Sequence, residues 1–188
     1  ILSGSSLTHR PFAVTVSSVN IKITGTFDIQ AGATVTVSSM GFAGGANNGG
    51  VGGGPGGGGG SGTSSAGGSG GGHGGLGGGA DSNTQGPVND NSVNPQWAGS
   101  GGGGGDFAAV YNVGGRGGGC VILDAQTINL DGRIEADGEP GGPGPGGSGV
   151  QAAGGGGAGG TVNLKATYLI GNGTVSARGG SGGPDANA

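Results

Sequence analysis

The chain has little of what a conventional globular core is made from. Only 9% of its 188 residues are charged and only 4% are aromatic, too few large side chains for a thick helical or mixed core. The six Lys and Arg residues are scattered and the net charge is -4, so there is no basic patch to grip a nucleic-acid backbone, and that partner class is rejected. No run approaches the roughly 18–20 apolar residues of a membrane-crossing helix, so no membrane insertion is expected. Cysteine occurs once, as Cys120, which excludes an intramolecular disulfide framework. Just ahead of a strand, this lone thiol reads as a small buried hydrophobe, with intermolecular pairing as the alternative. Beginning at Ile1 with neither a start methionine nor a signal-like apolar stretch, the chain reads as a processed or trimmed product.

The residues needed for catalysis are equally sparse. Nucleophilic chemistry requires a base beside a Ser or Cys, and only His9, at a Pro turn, and His73, in a glycine tract, exist. One Cys and two separated His give no zinc spacing. No G-K-[ST] follows any glycine run, so a nucleotide cradle has no support. Glu135, Asp137 and Glu139 recur at period two and so share one strand face, which is read as solvated ahead of a carboxylate pair for glycoside hydrolysis or a weak Ca²⁺ site. Gly101 to Asp106 matches only the start of a Ca²⁺-binding nonapeptide, in a single copy. Asn172-Gly173-Thr174 has the form of a glycosylation sequon, yet Asn172 aligns with the turn residue Asp131, and turn chemistry is the favoured reading. The chain is read as non-enzymatic, with no cofactor and no metal.

What the sequence does contain is glycine, 59 residues of it, and a repeated strand-forming unit. Val121–Gly138 (VILDAQTINLDGRIEADG) and Val162–Gly179 (VNLKATYLIGNGTVSARG) align without a gap, and a more divergent copy, VTVSSVNIKITGTFDIQA, runs from Val14 to Ala31. Each is a bent, two-arm strand with a turn dipeptide ending in Gly. Alternation puts Val121, Leu123, Ala125, Ile128, Leu130, Ile134 and Ala136 on one side. A unit with one wet face must stack on a copy of itself to bury the other. In-register stacking of the second and third units sets Asp124 beside Lys165 and Asp137 beside Arg178, opposite charges that favour the register. The first unit matches less well, placing Asp28 beside Glu135, and is expected to stack elsewhere, on another molecule for example.

No segment shows a 3.6-residue period, so the fold is read as all-β in a single domain spanning 1–188. Its parts are a lead-in arm (1–11), strand unit 1 (12–43), a glycine-rich insert (44–119), strand unit 2 (120–140), a glycine loop (141–160), and strand unit 3 with a glycine tail (161–188). In the insert 35 of 76 residues are Gly, but the run Thr63-Ser64-Ser65-Ala66 breaks the strict triplet that collagen requires. Either a flexible linker or extended three-residue-per-turn segments of the polyglycine II kind, bonded laterally, would fit; triplets such as Ala66-Gly-Gly-Ser69 and His73-Gly-Gly-Leu76 favour the second. Trp97, the single Trp, is a candidate anchor for the core or for a partner. Phe107, Val110 and Tyr111 form an apolar patch that would cover the same seam.

Gly118-Gly119-Cys120-Val121-Ile122-Leu123 with Gly132 to Gly138, and Gly159-Gly160-Thr161-Val162-Asn163-Leu164 with Gly173 to Gly180, resemble the repeats of large glycine-rich secreted and cell-surface proteins. That resemblance implies a right-handed parallel β-solenoid. In composition alone, the glycine tracts are similar to those of phage tail-tip adhesins and springtail antifreeze proteins, in which polyglycine II bundles occur.

The expectation is therefore a short parallel β-solenoid-like spine with long polyglycine-II-like loops, in an extracellular or cell-surface structural protein. It would self-assemble into a fibre or sheath by β-edge completion, since no cap is evident at either end of a three-unit stack. The lead-in, with Leu2 and Leu7, could complete a neighbouring copy. Leu2, Leu7, Trp97, Tyr111 and Cys120 are the contact candidates. Under the alternative, an adhesin presents the loops to a glycan or surface, with Trp97, Tyr111 and His73 as its contacts; ice binding is a further, weaker option.

Overall fold

The computed structural model describes residues 1–11, 17–62, 66–80, 84–105, 112–144 and 152–184. Among them there is no helix. Eight strands follow one another: β1 (Ser6–Leu7), β2 (Val19–Lys22), β3 (Thr26–Ile29), β4 (Thr34–Thr36), β5 (Cys120–Leu130), β6 (Arg133–Glu135), β7 (Thr161–Ile170) and β8 (Thr174–Ser176). Every pairing between them is parallel. One sheet has the order β1-β4-β6-β8; in the other, β5 is flanked by β2 and β3 on one side and by β7 on the other. Parallel neighbours need long crossovers, and here the glycine-rich segments supply them.

The second and third units keep one register through both arms, from Cys120 opposite Thr161 to Glu135 opposite Ser176. The inward-facing residues of the second unit, Val121, Leu123, Ala125, Ile128, Leu130, Ile134 and Ala136, are all buried, and Ile29, Val35 and Val37 of the first unit join them. Fully burying side chains such as Ile128 and Ile134 stabilises by about 1.5–3 kcal/mol each. β-Branched residues dominate because they fill a pleated, half-buried surface well.

The first unit departs from the sequence expectation in two ways. It stacks on the second unit of its own chain, and its register differs from the gapless alignment. Val19 lies opposite Val121, Thr26 opposite Thr127 and Thr34 opposite Arg133. Between the first two pairings the first unit carries one extra residue, and between the second and third it carries two. The first insertion bulges at Gly25, whose carbonyl accepts from both Gln126 and Thr127; the second is taken up by a turn at Gly32, at φ 81°. Asp28 consequently faces Asn129, which donates to it from Nδ2 at 2.8 Å, whereas Glu135 is opposite Thr36.

The lead-in arm covers part of the first unit's outer edge, which corrects the expectation of two fully open ends. Gln30 N–H donates to Ile1 O, Gly4 N–H to Gly32 O and Thr34 N–H to Ser5 O, and β1 pairs with β4. The arm thus covers the outer edge of β3 and β4. His9 closes the seam: its Nε2 accepts the Cys120 N–H at 3.4 Å, and its Nδ1 donates to Arg10 O at 2.6 Å.

Beside the strands, the glycine segments pack side by side and bond laterally with a three-residue period. Segment 99–105 is surrounded by six others. Its N–H groups donate to 112–118 (Gly99 to Gly118, Gly102 to Gly115, Gly105 to Asn112), to 50–53 (Gly101 to Gly53, Gly104 to Gly50) and to Ser69 (from Gly103). Its carbonyls accept from Phe42 and Gly45, from Gly58 and Ser61, and from Ala158 and Gly155. Such spacing leaves no room for a side chain at Gly102, where a Cβ would land on the Gly155 carbonyl oxygen. Ordering glycine is entropically costly; lateral bonding of the peptide groups to several neighbours at once is what offsets it.

Candidate functional site

The feature that distinguishes one region of this surface is the unpartnered end of the stack. Among the described residues, β7 and β8 pair only inwards, to β5 and β6. Leu169 stands opposite Ile128, which is 0% exposed, yet Leu169 is 59% exposed. Val175 stands opposite Ile134, also 0% exposed, and is itself 49% exposed. These side chains point where a core would continue, and no further rung among the described residues covers them. Tyr168 and Ile170 extend the exposed apolar strip along β7. Sequence reasoning missed all four. The alternation of the repeat, carried onto its last copy, was the signal that could have found Leu169 and Val175; Tyr168 and Ile170 stand opposite Thr127 and Asn129, off the inward face.

The charged partners named from the sequence are placed side by side but do not form the two expected ion pairs. Asp124 is the register partner of Lys165, while its carboxylate meets Lys22 Nζ at 3.2 Å; the row across the three units is Lys22, Asp124, Lys165. Asp137 Oδ1 accepts from the Arg178 backbone N–H at 2.7 Å and from Ser176 Oγ at 2.6 Å. The guanidinium of Arg178 is not what binds it.

Of the contact candidates, Leu2 is exposed, Leu7 packs against the core and Cys120 is fully buried. Burial raises the Cys120 thiol pKa to about 11, with the Asp90 charge adding to the effect, and keeps the sulfur from pairing between molecules in this fold. Tyr111 lies outside the described residues, as do Phe107, Val110 and Asp106. Trp97 is 46% exposed: its backbone is held while the ring faces solvent.

What holds Trp97 is a buried polar cluster at the start of β7. Asp90 Oδ2 accepts from the Gln96 and Trp97 N–H groups, both at 3.0 Å. Thr161 Oγ1 donates to Trp97 O at 2.7 Å and lies 3.0 Å from His73 Nε2. His73 Nε2 is 3.6 Å from Asp90 Oδ2, and Asn163 Nδ2 ties down Asn94 and Pro95. Burial pushes the His73 pKa down, against the raising effects of the Asp90 charge and the Asn89 side chain. The Thr, His and Asp do not form a nucleophilic relay, because hydroxyl and carboxylate both address the same imidazole nitrogen, whereas a relay needs one on each. The cluster staples the 89–97 loop to β7. Among the described residues, no group of His, Cys, Asp and Glu side chains gathers that could hold a metal ion.

No protein-family model matches the chain, and no similar protein was found among curated sequences or solved structures.

Proposed function

We propose that the protein is a non-catalytic, extracellular structural module that self-assembles by completing the open β7–β8 edge. In this reading the three stacked units are a short parallel β-solenoid, and the laterally bonded glycine segments are a polyglycine II bundle fused along its flank. The observation that carries it is the exposure of Leu169 and Val175 at register positions whose counterparts are fully buried one rung earlier. An unpaired strand edge with apolar inward-facing residues is a template for another strand.

One end is open and the other is partly covered by residues of the lead-in arm, so growth is directional. Head-to-tail stacking joins the open edge of one copy to the first unit of the next, after the short arm of that copy has lifted. This requirement keeps copies separate until the arm moves, and a single two-residue strand, β1, is the main thing to displace.

Sedimentation velocity over a concentration series, followed by electron cryo-microscopy of the associated fraction, tests the reading. Filaments with a layer spacing of about 4.8 Å, more abundant when residues 1–7 are deleted and lost in Leu169→Lys, are expected. A protein that stays monomeric with and without its arm overturns the proposal; closed two-fold dimers overturn the fibre.

A second reading has one specific observation behind it. The insert presents Leu76, Val88, Val93 and the Trp97 ring to solvent, as an adhesin would present apolar contacts to a glycan or surface. Saturable surface binding by a protein that remains monomeric, abolished by Trp97→Ala, would favour it over assembly.

A further inference from the structure

Among the described residues, segment 152–160, which leads into β7, has five lateral neighbours where 99–105 has six. Its N–H groups at Gly154, Gly157 and Gly160 donate to Gly142, Glu139 and Ala136, and those at Gly155 and Ala158 donate to Gly103 and Ser100. Its carbonyls accept from Gly68 and Gly71, from Gly183 and Gly180, and from Gly115 and Gly118. That accounts for five directions. The sixth belongs to the N–H groups of Ala153, Gly156 and Gly159, which have no acceptor among the described residues.

The vacancy can be placed from the bonds between the neighbours themselves. Going round 152–160, segment 67–71 bonds to 99–105, 99–105 to 112–118, 112–118 to 139–142, and 139–142 to 178–181. The ring is therefore open between 177–183 and 67–71. A cavity of 310 Å³ lies there, walled by Gly67, Gly68 and Gly70 with the adjoining 78–80 on one side and Gly180, Gly182 and Gly183 on the other, with Ala153 to Gly156 as its floor. A second cavity continues it past Gly159, between Gly71 and Gly179. The bonding pattern and the free volume thus locate the same groove by separate routes. The groove also lies directly across 152–160 from 112–118, the segment that leads into β5, so it continues the stacking direction of the second and third units.

We infer that this groove binds an extended glycine-rich segment of a partner chain, as the missing sixth neighbour of 152–160. The inference rests on the proposed edge completion and names the chemistry of what enters beside it. Donors at every third residue, about 9 Å apart for a chain rising about 3.1 Å per residue, match the carbonyls of another three-residue-per-turn chain. Around Ala153 to Gly156 the walls carry no side chain beyond a methyl group, and that closeness selects against side chains on the occupant. The grammar of units 2 and 3, a glycine segment running directly into a strand, is what would fill the groove and the β7 edge together.

A fluorescently labelled peptide with the sequence of residues 152–160, flanked by lysines for solubility, is titrated with the protein and followed by anisotropy. The same length with alanine at every glycine is the control. Leucine at Gly78 or Gly182 plugs the groove: both positions line it, and a Cβ meets nothing within 4 Å at Gly78 and only Gly154 O, at 4.0 Å, at Gly182. The fold of each variant is checked by circular dichroism. Saturable binding of the glycine peptide, weakened at least tenfold in Gly78→Leu and Gly182→Leu and absent for the alanine peptide, is expected. No saturable binding, or equal binding by both plugged variants or by the alanine peptide, overturns the inference. Failure of the edge proposal is read separately, from sedimentation of the unliganded wild-type protein.

Discussion

Leu169 stands on the third unit where Ile128 stands on the second, in register across β5 and β7, and one is 59% exposed while the other is fully buried. The same residue class at the same position is thus buried in one unit and solvent-facing in the next. Ile128→Ala should cost about 2–5 kcal/mol in urea unfolding. Leu169→Lys should change unfolding by less than about 0.5 kcal/mol while reducing self-association in sedimentation. Equal destabilisation by the two substitutions would show that Leu169 is covered within the monomer.

Glycine substitutions should divide sharply by position. A Cβ on Gly102 meets the Gly155 carbonyl, whereas one on Gly25 meets nothing within 4 Å. Gly102→Ala should destabilise by about 1–3 kcal/mol or more through overpacking. Gly25→Ala should be neutral or stabilising by up to about 1 kcal/mol, because it restricts the unfolded chain. Thermal unfolding of the two variants side by side is the check.

Much of this division between strand and bundle was legible beforehand, for reasons that differ by region. The second and third units could be aligned by eye because Asp131-Gly132 and Asn172-Gly173 fix the turn, and the intervening strand has no insertion. The first unit could not, since its extra residues around Gly25 and Gly32 shift each arm separately and a gapless comparison absorbs neither. The arm was expected to complete a neighbouring copy and instead pairs with its own β4, because Ser6–Leu7 is too short to show an alternation that would place it. The triplet Ala66-Gly-Gly-Ser69 hinted at the bundle, while His73-Gly-Gly-Leu76 proves to be a bend closed by His73 N–H on Gly75 O; glycine has no side chain with which to encode its lateral neighbours, so the six partners of 99–105 could not be read from it. The open edge was predictable in kind, though Leu169 and Val175 were not singled out.

The buried His73 makes stability depend on pH. Its pKa in the fold lies below the ordinary 6.5, chiefly through desolvation, so below that pH the unfolded chain takes up the proton more readily than the native one. This contribution is intact above about pH 6.5 and is lost as pH falls from there through the lowered folded value. Urea midpoints at pH 7.5 and pH 5 should fall for the wild type, and fall less for His73→Gln. An identical decline in both proteins would assign the effect to carboxylates.

Cys120 should be inert in the native state. Its sulfur is fully buried and its pKa is raised to about 11, which leaves almost no thiolate near neutrality. Labelling with a chromogenic disulfide at pH 8 should proceed at the rate of opening, and become rapid in denaturant. Prompt stoichiometric labelling of the folded protein would contradict the placement of Cys120 beneath the 89–97 loop.

The packing of 99–105 among six neighbours has a thermal consequence. Heat capacity rises on unfolding in proportion to newly wetted apolar surface and falls with newly wetted polar surface. A segment that buries almost nothing but peptide groups therefore melts with a small increment, and the apolar rungs beside it with a large one. Cooling weakens the hydrophobic contribution to those rungs but leaves the lateral amide bonds of the bundle nearly untouched, so the two flanks of one small molecule follow stability curves of different curvature.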